Sequence, residues 1–583
     1  MKSWFEIPGR TRIQVLVLAA VIAGILGFLA SRGSWYADDF EFLINGRRGF
    51  TADALLEPVN DHIVPGLRLS YALFALVDGP SWTLTVVFRA VLWFAAVCLM
   101  AGLIWRTTKT PWATLAAVVF YGLAPVSMPS FMSLSSGVNT IPAHCLGLIV
   151  LHCTLDWFAH RRWTSLLGAG AALAASMAFW EKSGLIFVTA IALVMVVVPK
   201  GERGRRPFGT WFLSMAGAAG VYAVLYIVLG SSSGSWPGIG VMGRLLWLGF
   251  VRAPVVTLVG GPAQWRTTDP PYFGLSSPHP IVIGIGLLVL IAFLVIAYRR
   301  ARSTLWLWGA VLAFTVATVI TVGIGRYTAF GEVLTAHYHY WTDISIPLTL
   351  AVILTLTRSG WLPKAKALRY GIPALWVGAV AISFAMFAGP WGENPSGRYL
   401  ENMTTDIAAD PGETNLWDTR PPLSVMPYIS TERRISHVLE LTGTKAVFMR
   451  STPQPLFVDD DGHVRSAQLV PWATGVTKPE CGNQIRGRDP LTIKLNEPLP
   501  EGEWAVAMSY LANPEAHVDV DLVSPDGGVT PTRSTPVWDA GLANAFAVAD
   551  EPTAVEAVRL TPREDGTQVC LDQVFVGLLK AQE

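Results

Sequence analysis

The chain has 583 residues, of which 52% are hydrophobic and only 15% charged. Soluble domains carry about 25% charged residues, so this composition argues against a purely soluble enzyme, and the apolar content excludes disorder. The net charge of +1 conceals a split: residues 1–389 hold 28 basic and 14 acidic side chains, whereas residues 390–583 hold 15 and 28. Two chemically different bodies meet near Pro390. The basic excess lies in the apolar one, which argues against a nucleic-acid partner.

Apolar runs recur near 13–30, 83–105, 112–128, 141–159, 164–180, 184–199, 209–230, 281–298, 304–325, 344–357 and 371–389. They predict about eleven transmembrane helices over residues 1–389. With the N-terminus inside, the inner loops carry 18 cations, from Lys2, Arg10 and Arg12 to Arg358, Lys364, Lys366 and Arg369, against the three acids Glu6, Asp156 and Glu202. The positive-inside rule then fixes a multi-pass topology in the cytoplasmic membrane, and an odd span count places residues 390–583 outside. Lys2, Arg10 and Arg12 ahead of the first apolar run also fit a secretory signal cleaved near Ala30, but the run's length and the spans that follow favour an anchor.

Eleven of the 14 acidic residues in this half fall outside or at its outer boundary, among them Asp38, Asp39, Glu181, Glu332 and Asp343. A transporter is expected to place ionisable groups at helix midpoints, where Arg89 is the one clear charge. Chemistry on the outer face fits better.

The first outer segment reads Ser34-Trp35-Tyr36-Ala37-Asp38-Asp39-Phe40-Glu41. Trp35 and Tyr36 suit the membrane interface. The repulsion of adjacent carboxylates allows one to stay ionised as a base while the other is protonated, hydrogen-bonded or cation-bound. An acidic cap on a short helix accounts for the pair equally well.

Ala37-Asp38-Asp39-Phe40 just after the first span resembles the signature of the family C glycosyltransferases, polytopic enzymes that use polyprenyl-phosphate sugars. Asn60, His62 and Pro65, with Arg68 nearby, resemble the Asn-x-His-x-x-Pro stretch of many bacterial members. The likeness is to the actinobacterial type with an extracytoplasmic C-terminal domain, and it covers the membrane half. It implies that Asp38 or Asp39 is the catalytic base or helps hold a divalent cation (Mg, Mn or Ca). It further implies an inverting transfer from a polyprenyl-phosphate sugar to an envelope polysaccharide or glycoprotein. The alternatives from other classes are a flippase, transporter or envelope scaffold, and a ligase using a diphosphate-linked oligosaccharide.

Candidate donor-phosphate and substrate contacts lie in the other outer loops. Lys182, in Trp180-Glu181-Lys182-Ser183, is a phosphate ligand or an interfacial ion pair with Glu181. Arg326 and Tyr327 end the ninth span, ahead of His337, Tyr338, His339, Tyr340 and Trp341. Arginine beside aromatic rings suits a phosphate and a sugar face. The aromatic belt is the competing account of the rings. A His-x-His pair without a compact third ligand is a weak metal signature, and no metal site is assigned. Arg89 is expected to face a polar cavity, to reach Asp61 or a donor phosphate, or to form a structural ion pair. Loop 231–280, with Arg244 and Arg252, reads as an interfacial helix followed by a flap.

Residues 390–470 read as a mixed connecting region with helices at Gly397–Ala409 and around Thr431–Leu441. Residues 471–583 alternate with period two between turn clusters, as in Val518-Asp519-Val520-Asp521-Leu522, and predict a jelly-roll-like β-sandwich. Cys481 and Cys570, the two cysteines of this body, are expected to form a disulfide. Carbohydrate binding would use Trp472, Trp504 or Trp538 as stacking faces, although isolated strand tryptophans are more often core.

Overall fold

The computed structural model describes all residues except 1–3, 5, 59–61, 78–80, 230–233, 267–273, 362–365, 410–413, 428–432, 453, 477–480, 482 and 583, and it leaves out the side chains of 366–369. The chain divides into two units, Met1–Asn394 and Pro395–Glu583.

The first unit is helical. Its long helices are α1 (Gly9–Ser31), α5 (Trp82–Thr108), α8 (Leu134–His160), α9 (Trp163–Phe179), α11 (Arg205–Leu229), α13 (Pro280–Arg300), α14 (Leu305–Phe330) and α16 (Lys366–Glu393). Shorter ones are α2 (Asp38–Gly46), α3 (Ala52–Leu56), α4 (Pro65–Ala75), α6 (Pro111–Gly122), α7 (Met128–Met132), α10 (Ile186–Val197), α12 (Ile239–Phe250) and α15 (Ser345–Ser359). Among the described residues, eight helical segments are long and apolar enough to cross a membrane. The unit is that of a multi-pass membrane protein.

Each apolar run of the sequence carries a helix, but three of them are too short to meet that length criterion. These are α9, α10 and α15, with 17, 12 and 15 residues. At 1.5 Å per residue, α15 extends about 22 Å, less than the roughly 30 Å hydrocarbon core. Every residue from Ser345 to Thr355 is buried. Neighbouring helices, rather than lipid, surround it, and this removes the length requirement.

The run at 112–128 is not one continuous helix. Pro111 starts α6 at a position where its missing N–H costs nothing. The helix stops at Gly122, and Pro125 and Pro129 open the short turns that follow. The fully buried Arg89 of α5 bonds the carbonyls of Phe131 and Met132 at 2.7 and 2.6 Å, satisfying acceptors at the end of α7. In the predicted outer loop, α12 lies against α14, with Arg244 paired to Glu332 at 2.9 Å and Arg252 donating to Thr335 at 2.7 Å. A small antiparallel ribbon, β1 (Trp265–Arg266) with β2 (Leu275–Ser276), follows it. The expected flap falls on 267–273, outside the described residues.

The second unit opens with α17 (Pro395–Ala409) and α18 (Ile435–Thr442), interleaved with the short strands β3 (Asn415–Leu416), β4 (Val447–Phe448) and β5 (Leu456–Val458). Then come β6 (Val464–Thr474), β7 (Gln484–Arg486), β8 (Leu491–Gly502), β9 (Ala505–Ala512), β10 (Val518–Val523), β11 (Val529–Ser534), β12 (Gly541–Ala549), β13 (Thr553–Pro562) and β14 (Gln568–Ala581). The long strands form two antiparallel layers, β6-β14-β9-β12 and β10-β13-β8, joined through β11. Alternation explains the core, since Val518, Val520 and Leu522 point inward from β10 while Asp519 and Asp521 do not. Cys481 and Cys570 are disulfide-bonded, with Cα atoms 5.3 Å apart. Trp504 and Trp538 are core residues, so neither offers a stacking face. Trp472 is 53% exposed and keeps that capacity.

Candidate functional site

The chain leaves α1 at Ser31 and turns at Gly33, where an added Cβ would lie 2.3 Å from the Trp391 ring. Ala37 then adopts φ +52°, a conformation that L side chains rarely take and that recurs at functional sites. This bend starts α2 at Asp38 and places both carboxylates in its first turn, where the helix dipole favours negative charge.

A cavity of about 160 Å³ opens beside this turn. The α1–α2 connection contributes Ser34, Tyr36, Asp38 and Asp39, and α8 contributes Ser135, Ser136, Asn139 and Thr140. His62, Trp180, Arg326, His339, Tyr340 and Trp391 form part of the remaining wall, and Phe42, Val64, Leu67, Pro129 and Phe387 give it an apolar portion.

The two aspartates differ. Asp39 is 2% exposed and its oxygens are spent on the fold. Oδ1 accepts from Tyr71 Oη at 3.0 Å and the Ser135 backbone N–H at 2.9 Å, and Oδ2 accepts from the Tyr36 N–H at 3.1 Å. Burial pushes its carboxyl up to about 7, against the pull of these bonds and of the Arg89 charge. Asp38 lines the cavity, and among the described residues its carboxylate accepts no hydrogen bond from the protein. Burial raises its pKa too, and the Arg326 charge works in the opposite direction.

Five of the residues singled out in the sequence meet at this cavity: Asp38, Asp39, His62, Arg326 and His339. His62 is fixed by Glu181, whose Oε2 lies 3.1 Å from its Nδ1 and whose Oε1 accepts from the Ile63 N–H at 2.9 Å. The His62 ring lies 5.7 Å from that of Trp180. Glu181 is thus a support behind the wall. Burial, reinforced by the charges of Lys182 and Arg326, holds His339 well below the usual imidazole range, so it is a neutral ring near pH 7.

The others point elsewhere. Lys182 is buried and pairs with Asp343 at 3.2 Å, not with Glu181, and it also contacts the Tyr340 carbonyl. Asp343 Oδ1 lies 3.3 Å from His144 Nε2, whose Nδ1 is 2.8 Å from Tyr121 Oη. Lys182 therefore anchors the segment carrying His339 and Tyr340 from behind. Arg89 spends its donors on helix carbonyls and packs over Trp82 at 4.7 Å. Arg68 bonds the Glu57 carboxylate at 3.2 Å. His337 is buried, with burial lowering its pKa to about 4. Tyr327 packs on the apolar core. Asn60 and Asp61 lie outside the described residues.

Sequence reading missed the polar row on α8. Ser136, Asn139 and Thr140 are spaced three and four residues apart, so they share one face of an otherwise apolar helix. That intramembrane polar stripe was the available signal.

Among the described residues, no three His, Cys, Asp or Glu side chains group as a metal cage. On the cavity, the Asp38 carboxylate has lone pairs left over, while those of Asp39 are engaged.

No protein-family model matches the chain, and no curated protein matches it. Several solved structures resemble it, among them the following three. One is the arabinosyltransferase EmbB from Mycobacterium smegmatis, with TM-score 0.30 and 14% identity, over 97% of this chain and 64% of that one. Two more are of the Archaeoglobus fulgidus oligosaccharyltransferase. The form with an inhibitory peptide and a dolichol-phosphate gives TM-score 0.35 and 15% identity, over 69% and 58% of the two chains. The form tethered to an acceptor peptide gives 0.37 and 14%, over 68% and 57%. The chain thus spans less than two thirds of the length of each.

Proposed function

We infer that this protein is an integral membrane glycosyltransferase of the family C type. It moves a sugar from a polyprenyl-phosphate donor to an envelope polysaccharide or glycoprotein on the extracytoplasmic face. The observation that carries this reading is Asp38, a carboxylate unclaimed by the fold, on a cavity it shares with Arg326, Trp180, Tyr340 and Trp391. The cavity begins where α1 ends, as the Ala-Asp-Asp-Phe motif requires. The cation-rich loops on the other side of the spans support an outward-facing cavity and an extracytoplasmic second unit.

Asp38 is the base. The acceptor hydroxyl attacks the anomeric carbon, its proton passes to the Asp38 carboxylate, and the bond from that carbon to the phosphate oxygen breaks. The phosphate leaves with the bonding pair, giving inversion in one displacement, and the Arg326 guanidinium stabilises its charge. A raised pKa makes Asp38 a stronger base than an exposed carboxylate. Trp180, Tyr340 and Trp391 offer ring faces to the sugar, His62 offers the ring nitrogen that Glu181 does not hold, and the neutral His339 ring offers a donor and an acceptor. Asp39 holds the Asp38 turn against α8. Were a divalent cation bound here, the Asp38 carboxylate would hold it, and it would supply neutralisation of phosphate charge. The test is transfer by purified protein from a polyprenyl-phosphate sugar, followed by mass spectrometry. Transfer abolished by Asp38→Asn supports the reading, transfer unchanged when Asp38 and Asp39 are both replaced by Ala overturns the site, and no transfer by the folded wild type favours a scaffold or flippase.

A further inference from the structure

At the other end of α14 from Arg326, about 32 Å away measured from Leu305 along the helix axis, α10 and α14 leave a groove between them. Its volume is about 500 Å³. Val188, Ile191 and Ala192 form one wall, Leu305 and Trp306 the other, and Gly309 and Ala310 the floor. The space over Gly309 is open, since a Cβ added there would meet no atom within 4 Å.

One end of this apolar groove is charged. Arg302 lines it from the turn that precedes α14, and its side chain is exposed, folded over the Tyr298 ring at 5.0 Å. Arg299 and Arg300 end α13 beside it, and residues 281–331 contain no acidic side chain to neutralise the three. Trp306, 56% exposed, stands one helical turn further in, as interfacial tryptophans do. An apolar slot with a cationic mouth at the end of a membrane span complements an amphiphile with an acyl tail and an anionic head.

We propose that this groove is a binding site for one anionic phospholipid, with an acyl chain lying along Gly309 and Ala310 and the phosphate on Arg302. Arginine suits the phosphate because its planar fork donates two parallel hydrogen bonds. The site is independent of the glycosyl-transfer reading, since it shares no residue with the Asp38 cavity.

The experiment is native mass spectrometry of the full chain released from micelles containing equal amounts of phosphatidylglycerol and phosphatidylethanolamine. The wild type should retain one phosphatidylglycerol in preference to phosphatidylethanolamine. Arg302→Gln should cut that preference about fivefold, the effect of one juxtamembrane cation. Arg302→Lys should keep most of it. Gly309→Leu projects a side chain into the groove from a position where a Cβ meets no atom within 4 Å, and it should lower retention of both lipids with the lipid-free melting temperature close to wild type. Should one variant fail to fold, the other decides. The proposal is overturned if the wild type shows no preference, if the folded variants retain phosphatidylglycerol like the wild type, or if equimolar polyprenyl phosphate displaces it.

Discussion

The Oδ1 atom of Asp39 lies 2.9 Å from the backbone nitrogen of Ser135, so the carboxylate of α2 caps the N-terminus of α8. Ser133, at the N-cap position, makes no such side-chain bond. The cap is therefore supplied from elsewhere in the chain, and it ties the acidic turn to the helix that carries the cavity's polar row. This separates two adjacent carboxylates: Asp39 is a joint of the scaffold, and among the described residues Asp38 accepts no hydrogen bond.

Replacing Asp39 tests the joint. Asp39→Ala leaves the Tyr71 hydroxyl and the Ser135 N–H without their acceptor and should cost about 2–4 kcal/mol. Asp39→Asn keeps one oxygen for Tyr71 and Ser135 but turns its NH2 on the Tyr36 N–H, and should cost less than alanine, about 1–2 kcal/mol. Denaturation of the detergent-solubilised protein measures both, and equal losses in the two variants would argue against the cap.

Asp39 also predicts a pH dependence. Its folded carboxyl is raised to about 7 from an unfolded value near 3.8, so the folded state binds the proton more tightly in that window. Its contribution is fully present below pH 3.8, declines as pH rises, and is lost above pH 7. Asp39→Asn should flatten this part of the stability profile between pH 4 and 7. An unchanged slope would place the titration on another group.

The buried Lys182–Asp343 pair predicts the opposite slope. Burial works to raise Asp343, but the Lys182 charge and the His144 contact overcome it and hold the carboxyl at about 2. The pair's contribution is present above pH 3.8 and fades as pH falls towards 2. Asp343→Ala strands a buried ammonium and should cost about 3–5 kcal/mol, much of it recovered by adding Lys182→Met. Melting curves of the two single variants and the double variant decide this. If Lys182 were instead a donor-phosphate ligand, Lys182→Met alone would raise the donor KM without lowering stability.

The Cys481–Cys570 bond closes a separation of 89 residues. Replacing both by Ser should destabilise the second unit by about 4–5 kcal/mol on a chain-entropy estimate. Hydrogen exchange of β9 and β14, which pair through Cys570 and Leu511, would report it, and unchanged protection would contradict it.

Much of this architecture was legible because hydrophobic burial leaves a periodic trace. Each apolar run carries a helix, the one at 112–128 broken after Gly122, and the alternation of Val518 to Leu522 became a core strand. The turn holding Asp38 was visible because two carboxylates stand directly after the first span. The partners of Lys182 and Arg89 were not legible. Asp343 lies 161 residues from Lys182, and the Phe131 carbonyl 42 from Arg89, so only tertiary packing pairs them. Sequence spacing favoured Glu181 for Lys182, but Glu181 turns to His62 and Ile63. The lengths of α10 and α15 were hidden for a related reason, since burial among other helices relaxes the bilayer's demand for about 20 residues. The α8 polar row went unread because serine, asparagine and threonine carry no charge to set them apart from an ordinary span.

The central claim is that Asp38 is the base. Its most direct test is the turnover of Asp38→Asn with a polyprenyl-phosphate sugar donor, beside donor affinity and melting temperature measured on the same preparation. The account predicts a kcat lowered about 10²–10⁴-fold, with both other quantities close to wild type. Wild-type turnover by Asp38→Asn, with the loss falling on Asp39→Asn instead, would contradict it.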